Sequence, residues 1–97
     1  MSNKIGNLVL RKEERQSDGY KYSYELLVRE GNSTIDFRMP LYSIKVNMTD
    51  SEGRSREADA RDVFSSKKKA MAFFEKIVRN LATPIDLPYI IEDEVTG

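Results

Sequence analysis

Every second residue from Tyr20 to Val28 is apolar: Tyr20, Tyr22, Tyr24, Leu26 and Val28. They alternate with Lys21, Ser23, Glu25, Leu27 and Arg29, a mostly polar set. A period of two is the signature of a strand with one face to bury. A ten-residue strand of this kind needs partners for its backbone and a second layer for its apolar face. The chain must therefore build a sheet and cover it.

The remaining segments supply both. Residues 5–13 predict a first strand, with Leu8 and Leu10 on one face and Ile5 and Val9 on the other. The polar stretch Glu13 to Gly19 ends in Ser17-Asp18-Gly19, which is turn chemistry. Glu30-Gly31-Asn32 predicts a second turn, and Thr34 to Met39 alternates again. Pro40 lacks an N–H and marks a bulge, an edge or a break. After it the frame flips, and Tyr42, Ile44, Val46 and Met48 share a face. One bulged strand over 34–48 and two strands joined by a bend explain the flip equally well. Thr49 to Gly53 is a third turn, and Arg56 to Phe64 reads as a charged edge strand.

The period then changes. Ala70, Phe74, Ile77, Val78 and Leu81 recur at helical spacing, with Met71 and Phe73 widening the stripe. The expected helix runs from Ser65 to Leu81, capped by Ser65 or Ser66 and closed by Thr83-Pro84. A short second helix is expected from Leu87 to about Glu94, with Asp86 as N-cap, Pro88 in the first turn and Ile85 and Ile90 as a hydrophobic staple. Strands first and helices after them indicate α+β. The expected architecture is a single domain over residues 1–97. It is a four- to five-stranded antiparallel meander sheet, with a long C-terminal helix packed on one face and a short second helix.

Composition narrows the chemistry. The 97 residues carry no cysteine and no histidine, so a disulfide framework, a thiolate nucleophile and an imidazole base or ligand are all excluded. Sixteen bases balance sixteen acids. A dedicated nucleic-acid binder carries a basic excess, which is absent from this total. No segment has the length of a signal-peptide core or a membrane span, so the expected location is the cytoplasm, with no membrane contact. No cofactor is implied, and the expected protein is not an enzyme.

Three features are candidate sites. Ser65-Ser66-Lys67-Lys68-Lys69 holds two overlapping Ser-x-x-Lys spacings, but the companion motifs of penicillin-recognising enzymes are missing. An N-cap followed by solvated lysines is the simpler reading. The carboxylates Asp59/Asp62 and Glu92–Glu94 lack the pattern of a calcium loop and read as solvated charge. The tyrosine face can stack bases, but Lys21, Arg29 and Lys45 point away from it, and the helix needs an apolar face to cover. Tyr20, Tyr22 and Tyr24 are therefore read as wall residues with hydroxyls near the rim.

Charge placement is the remaining anomaly. Lys67, Lys68 and Lys69 sit at the positive end of a helix dipole, and Glu92, Asp93 and Glu94 at the negative end of another. Residues 65–81 hold five bases and one acid, whereas 82–97 hold no base and four acids. Positions that break a local rule are candidate functional sites, so these six residues are the candidate interaction set. Helices of about 25 Å and 12 Å make full neutralisation within one chain marginal. Contact across an antiparallel dimer is the other way to bring the two runs together. The expected role is a non-catalytic protein-interaction or regulatory domain with an unidentified protein partner, a second copy of the chain being one form of it. A weak nucleic-acid-binding module using Lys67–Lys69 is the alternative.

The second half also resembles a known family. Tyr42-Ser43-Ile44-Lys45-Val46, Asp62-Val63 before the Ser65 helix, Thr83-Pro84-Ile85-Asp86-Leu87 and Ile90-Ile91-Glu92-Asp93 carry the resemblance. It is to a domain of unknown function in short proteins of Gram-positive, spore-forming bacteria. Pro88 departs from the more regular final helix of that pattern. The resemblance implies a cytosolic, non-catalytic domain and brings no site residues with it.

Overall fold

The computed structural model describes residues 8–30 and 40–96. Four strands, β1 (Leu8–Ser17), β2 (Tyr20–Glu30), β3 (Pro40–Thr49) and β4 (Ser55–Phe64), precede two helices, α1 (Lys67–Arg79) and α2 (Leu87–Thr96). The strands pair in sequence order, each antiparallel to the next. This is the expected α+β meander, with four strands and no fifth among the described residues. The turn at 31–32, the alternating segment 34–39 and the start of the first strand at 5–7 lie outside those residues, and so does the choice between one bulged strand and two.

The tyrosine alternation became β2 in the frame its pattern requires. Tyr24 and Leu26 pair with Val46 and Ile44, and all four side chains are fully buried. Helix α1 covers this face with Ala70, Phe73, Phe74, Ile77 and Val78. Each large apolar side chain buried there contributes about 1.5–3 kcal/mol. Ala58 and Ala60 continue the face on β4, where their small size leaves room for α2, and Leu87 enters the core from that helix.

Several local expectations need correction. The polar stretch 13–17 is not a loop: β1 runs on to Ser17. An edge strand can carry charge on both faces. Arg11 and Arg15 both pair with Glu13 at 3.1 Å, two residues away on the same face, and Arg11 also lies 5.3 Å over the Phe74 ring. The two arginines hold the Glu13 carboxyl below the usual range. A bulge between Val9 and Arg11 breaks the face expected for Leu8 and Leu10. The hairpin that follows has Asp18 and Gly19 at φ 52° and 84°, as a two-residue turn between twisted strands requires.

Helix α1 stops at Arg79, short of the expected Leu81. Leu81 is left-handed, at φ 50°. The Leu81 N–H donates to Val78 O at 3.2 Å and the Ala82 N–H to Ile77 O at 3.0 Å. This is a Schellman ending in which leucine takes the place usual for glycine. The start of α2 also differs from the expected Asp86 cap. Thr83 Oγ1 accepts from the Asp86 N–H at 3.2 Å, and Asp86 Oδ2 accepts from the Thr83 N–H at 3.3 Å. The Leu87 N–H donates to Thr83 O at 3.1 Å. This reciprocal pair is a capping box with Thr83 as the cap. Pro84 then holds the first helical position, where its missing N–H costs nothing. The shift of frame removes Ile85 from any staple; Ala82 and Leu87 occupy the flanking positions instead, and both are buried.

Candidate interaction surface

The tyrosines form a gradient, not a uniform rim. Tyr24 is fully buried, and its hydroxyl donates to Ala82 O at 2.8 Å, fastening the α1–α2 connection to the sheet. Burial pushes its hydroxyl pKa up to about 12, with smaller contributions in the same direction from Tyr22 and Asp86. Tyr22 stacks on Tyr24 at 6.3 Å and 4° and is half-buried, and Tyr20 beside it is exposed. Only Tyr20, at the end of the row, retains the open ring that a base platform needs.

The opposite sheet face is open, and several of its charges are paired. Lys45 pairs with Glu57 at 2.9 Å, Lys12 with Glu25 at 3.9 Å and Arg61 with Asp59 at 3.0 Å. The Glu57 carboxylate raises the Lys45 pKa. Asp62 is held by Arg29 and sits at φ 54°, where β4 inserts extra residues opposite Ser43. The Asp62 N–H donates to Ser43 Oγ at 2.9 Å, which explains a serine that is buried beneath this face. Each member of the Asp59/Asp62 pair is thus bound to its own arginine. Among the described residues, no group of three or more carboxylates is placed to hold a metal ion.

The helix layer brings two of the six candidate charges, Lys69 and Glu94, to one cleft. Ser66 caps α1, its Oγ accepting from the Lys69 N–H at 3.3 Å, so this hydroxyl serves the backbone of Lys69. Lys67, Lys68 and Lys69 are exposed, and among the described residues their ammonium groups pair with no carboxylate. Helix α2 returns alongside α1: Glu94 and Lys69 line one cleft of about 390 Å³ with Phe64, Ser66 and Ala72. The intrachain approach that helix lengths made marginal therefore occurs. It neutralises only in part, because Glu94 pairs with Lys76, at 3.6 Å, and not with the lysine run.

A second groove, of about 540 Å³, is lined by Lys76, Ile77, Asn80, Tyr89, Ile90 and Asp93. Tyr89 is 71% exposed and Ile85, one turn earlier, 58%. The sequence reading assigned no surface role to either. The signal was present in Thr83-Pro84-x-Asp86: once Thr83 is the cap, Leu87, Ile90 and Ile91 turn inward and Ile85 and Tyr89 turn outward.

Fold and surface together define a small two-layer α+β domain: a four-stranded meander covered on one face by a helical hairpin whose outer side is polarised in charge. The chain belongs to a family of unknown function, DUF6514, whose model matches residues 6–97. Comparison with curated proteins and with solved structures found no match. No described helix is long and apolar enough to cross a membrane.

Proposed function

We propose that this protein is a non-catalytic, cytoplasmic interaction domain that binds another protein through the outer side of its helix layer. The observation that carries the reading is exposed Tyr89, which lines an apolar-floored groove between Lys76 of α1 and Asp93 of α2, with exposed Ile85 one turn before it. Exposed aromatic anchors with a charged rim are how protein interfaces are built. Among the described residues the open sheet face carries no exposed aromatic ring, and Lys45, Lys12 and Arg61 on it are paired with carboxylates. The Gram-positive, spore-forming source implied by the sequence resemblance belongs to the same proposal. A photo-reactive phenylalanine analogue at position 89, with position 47 on the open sheet face as control, tests it in cells. The expected result is one adduct of defined size from position 89 and none from position 47. Adducts from neither position, or the same adducts from both, would refute it.

The alternative, weak nucleic-acid binding, draws on the exposed Lys67–Lys69 run. Three lysines contacting phosphates would make affinity fall steeply with salt. Absence of binding to single-stranded RNA or DNA at low salt would remove this reading.

A further inference from the structure

We infer that the free edge of β1 takes up an acidic, extended segment of a partner protein, which adds a strand to the sheet and lays alternate side chains into the groove between β1 and α1. This surface is separate from the Tyr89 groove, which lies on the other flank of α1.

The first argument is the state of the two sheet edges. The order β1-β2-β3-β4 makes β1 and β4 the edges among the described residues. They are not equivalent. The ladder of β4 is broken where extra residues stand opposite Ser43, Asp62 there has φ 54°, and α2 packs against the strand. Bulges and covering elements are the devices that close an edge. Past its own bulge at Val9, β1 pairs without interruption, Arg11 to Ser17 against Leu26 to Tyr20. It contains no proline. Alternate N–H and C=O groups along this stretch therefore point away from β2, towards the position of a further strand. Leu8, Val9 and Leu10 at its start are exposed.

The second argument is the groove beside this edge. It has a volume of about 370 Å³ and is lined by Arg11, Glu13 and Arg15 of β1 and by Phe74, Glu75, Val78 and Arg79 of α1. Residues 11, 13 and 15 share a face by the strand period, so a strand added to β1 directs every second side chain to the same groove. Phe74 and Val78 are buried and form an apolar floor. Three arginines stand against two acids, and both acids are already engaged. Glu13 pairs with Arg11 and Arg15, and Glu75 with Arg11 at 3.6 Å. Arg79 is exposed and pairs with no carboxylate among the described residues. The excess positive charge disfavours a basic strand and favours an acidic one. A free edge beside a lined groove is how extended peptides are recognised: main-chain bonds supply affinity, and alternate side chains supply specificity.

Amide NMR titration with capped synthetic peptides at neutral pH tests the inference. The probe is a short peptide of alternating Glu and Val. The controls are its Lys and Val counterpart and the Glu–Val peptide with methylated backbone nitrogens. The Glu–Val peptide is expected to shift the amides of β1 and of residues 74–79 and to slow hydrogen exchange of the outward β1 amides. Methylation keeps the charge, removes the main-chain donors and is expected to abolish binding. The Lys–Val peptide and the Arg79→Glu variant are each expected to bind about fivefold more weakly, and Arg79→Gln about twofold. Arg56→Glu, on the exposed part of β4, is expected to change nothing. No binding at millimolar Glu–Val peptide would overturn the inference. So would outward β1 amides already protected in the chain alone, or equal binding by the methylated peptide, the Lys–Val peptide or Arg79→Glu. Shifts centred on Tyr89 would reject this edge and favour the outer side of the helix layer.

Discussion

Replacing Tyr24 by Phe removes one oxygen atom and leaves the ring that stacks on Tyr22. The lost group is the donor to Ala82 O, and both residues lie in the core. A net hydrogen bond is worth about 0.5–1.5 kcal/mol, and a buried carbonyl left without a donor costs about 1–3 kcal/mol. Tyr24→Phe should therefore destabilise by about 2 kcal/mol, or roughly 8–16 °C in Tm for a chain of this size. Urea denaturation should show a lower midpoint at an unchanged slope. Tyr22→Phe is the control. Its hydroxyl makes no bond among the described residues, and the change should stay within about 0.5 kcal/mol. Alkaline pH supplies a second readout. Burial raises the Tyr24 pKa from 10.0 to about 12 in the folded chain. A raised folded value gives a contribution that is complete below about pH 10 and is lost as pH rises through about 12. Tyr24→Phe should flatten that limb of the stability profile, and Tyr22→Phe should keep it. Equal stability for Tyr24→Phe and the unaltered chain, or identical alkaline limbs, would refute the idea that this hydroxyl fastens the helix connection to the sheet.

Three further outcomes follow from single contacts. Ser43→Ala leaves the Asp62 N–H without its acceptor under the β4 irregularity and should cost about 1–3 kcal/mol in urea denaturation. Ser66→Ala removes the α1 cap and should cost about 1 kcal/mol in the same assay, with a matching loss of helical circular dichroism at elevated temperature. Asp50 accepts from the backbone N–H groups of Arg54 and Glu52, which lowers its pKa from 3.8. The stabilisation is present above that value and is lost as pH falls through the lowered one. Asp50→Asn should therefore flatten the acid limb of the stability profile below about pH 4.

How much of this was legible depends on the range of the interaction concerned. The period of two over residues 20–28 and the helical spacing from Ala70 to Val78 are repeated signals, and each became an element with the expected face inward. The end of β1 was hidden because Glu13, Glu14 and Arg15 resemble a loop until β2 lies beside them. Their strand state comes from pairing with Tyr24, Ser23 and Tyr22. Leu81 at φ 50° continued the apolar stripe by spacing, and only the Schellman bonds remove it from the helix. The start of α2 at Leu87 was legible, but its cap was not, because Asp86 and Thr83 are both good caps; the reciprocal bonds between them decide for Thr83. Tyr89 is exposed because Leu87, Ile90 and Ile91 take the inward side of α2. The Lys67–Lys69 and Glu92–Glu94 runs were visible as rule-breaking charges. The approach of Glu94 to Lys69 and its pairing with Lys76 came only with the return of α2 beside α1.

The central claim is that the molecule meets a protein partner through the outer side of its helix layer. Photo-crosslinking in cells from position 89, set against position 47, tests it most directly. The claim predicts one adduct of defined size from position 89 on α2 and none from position 47 on the open sheet face. Adducts from neither position, or the same adducts from both, would contradict it.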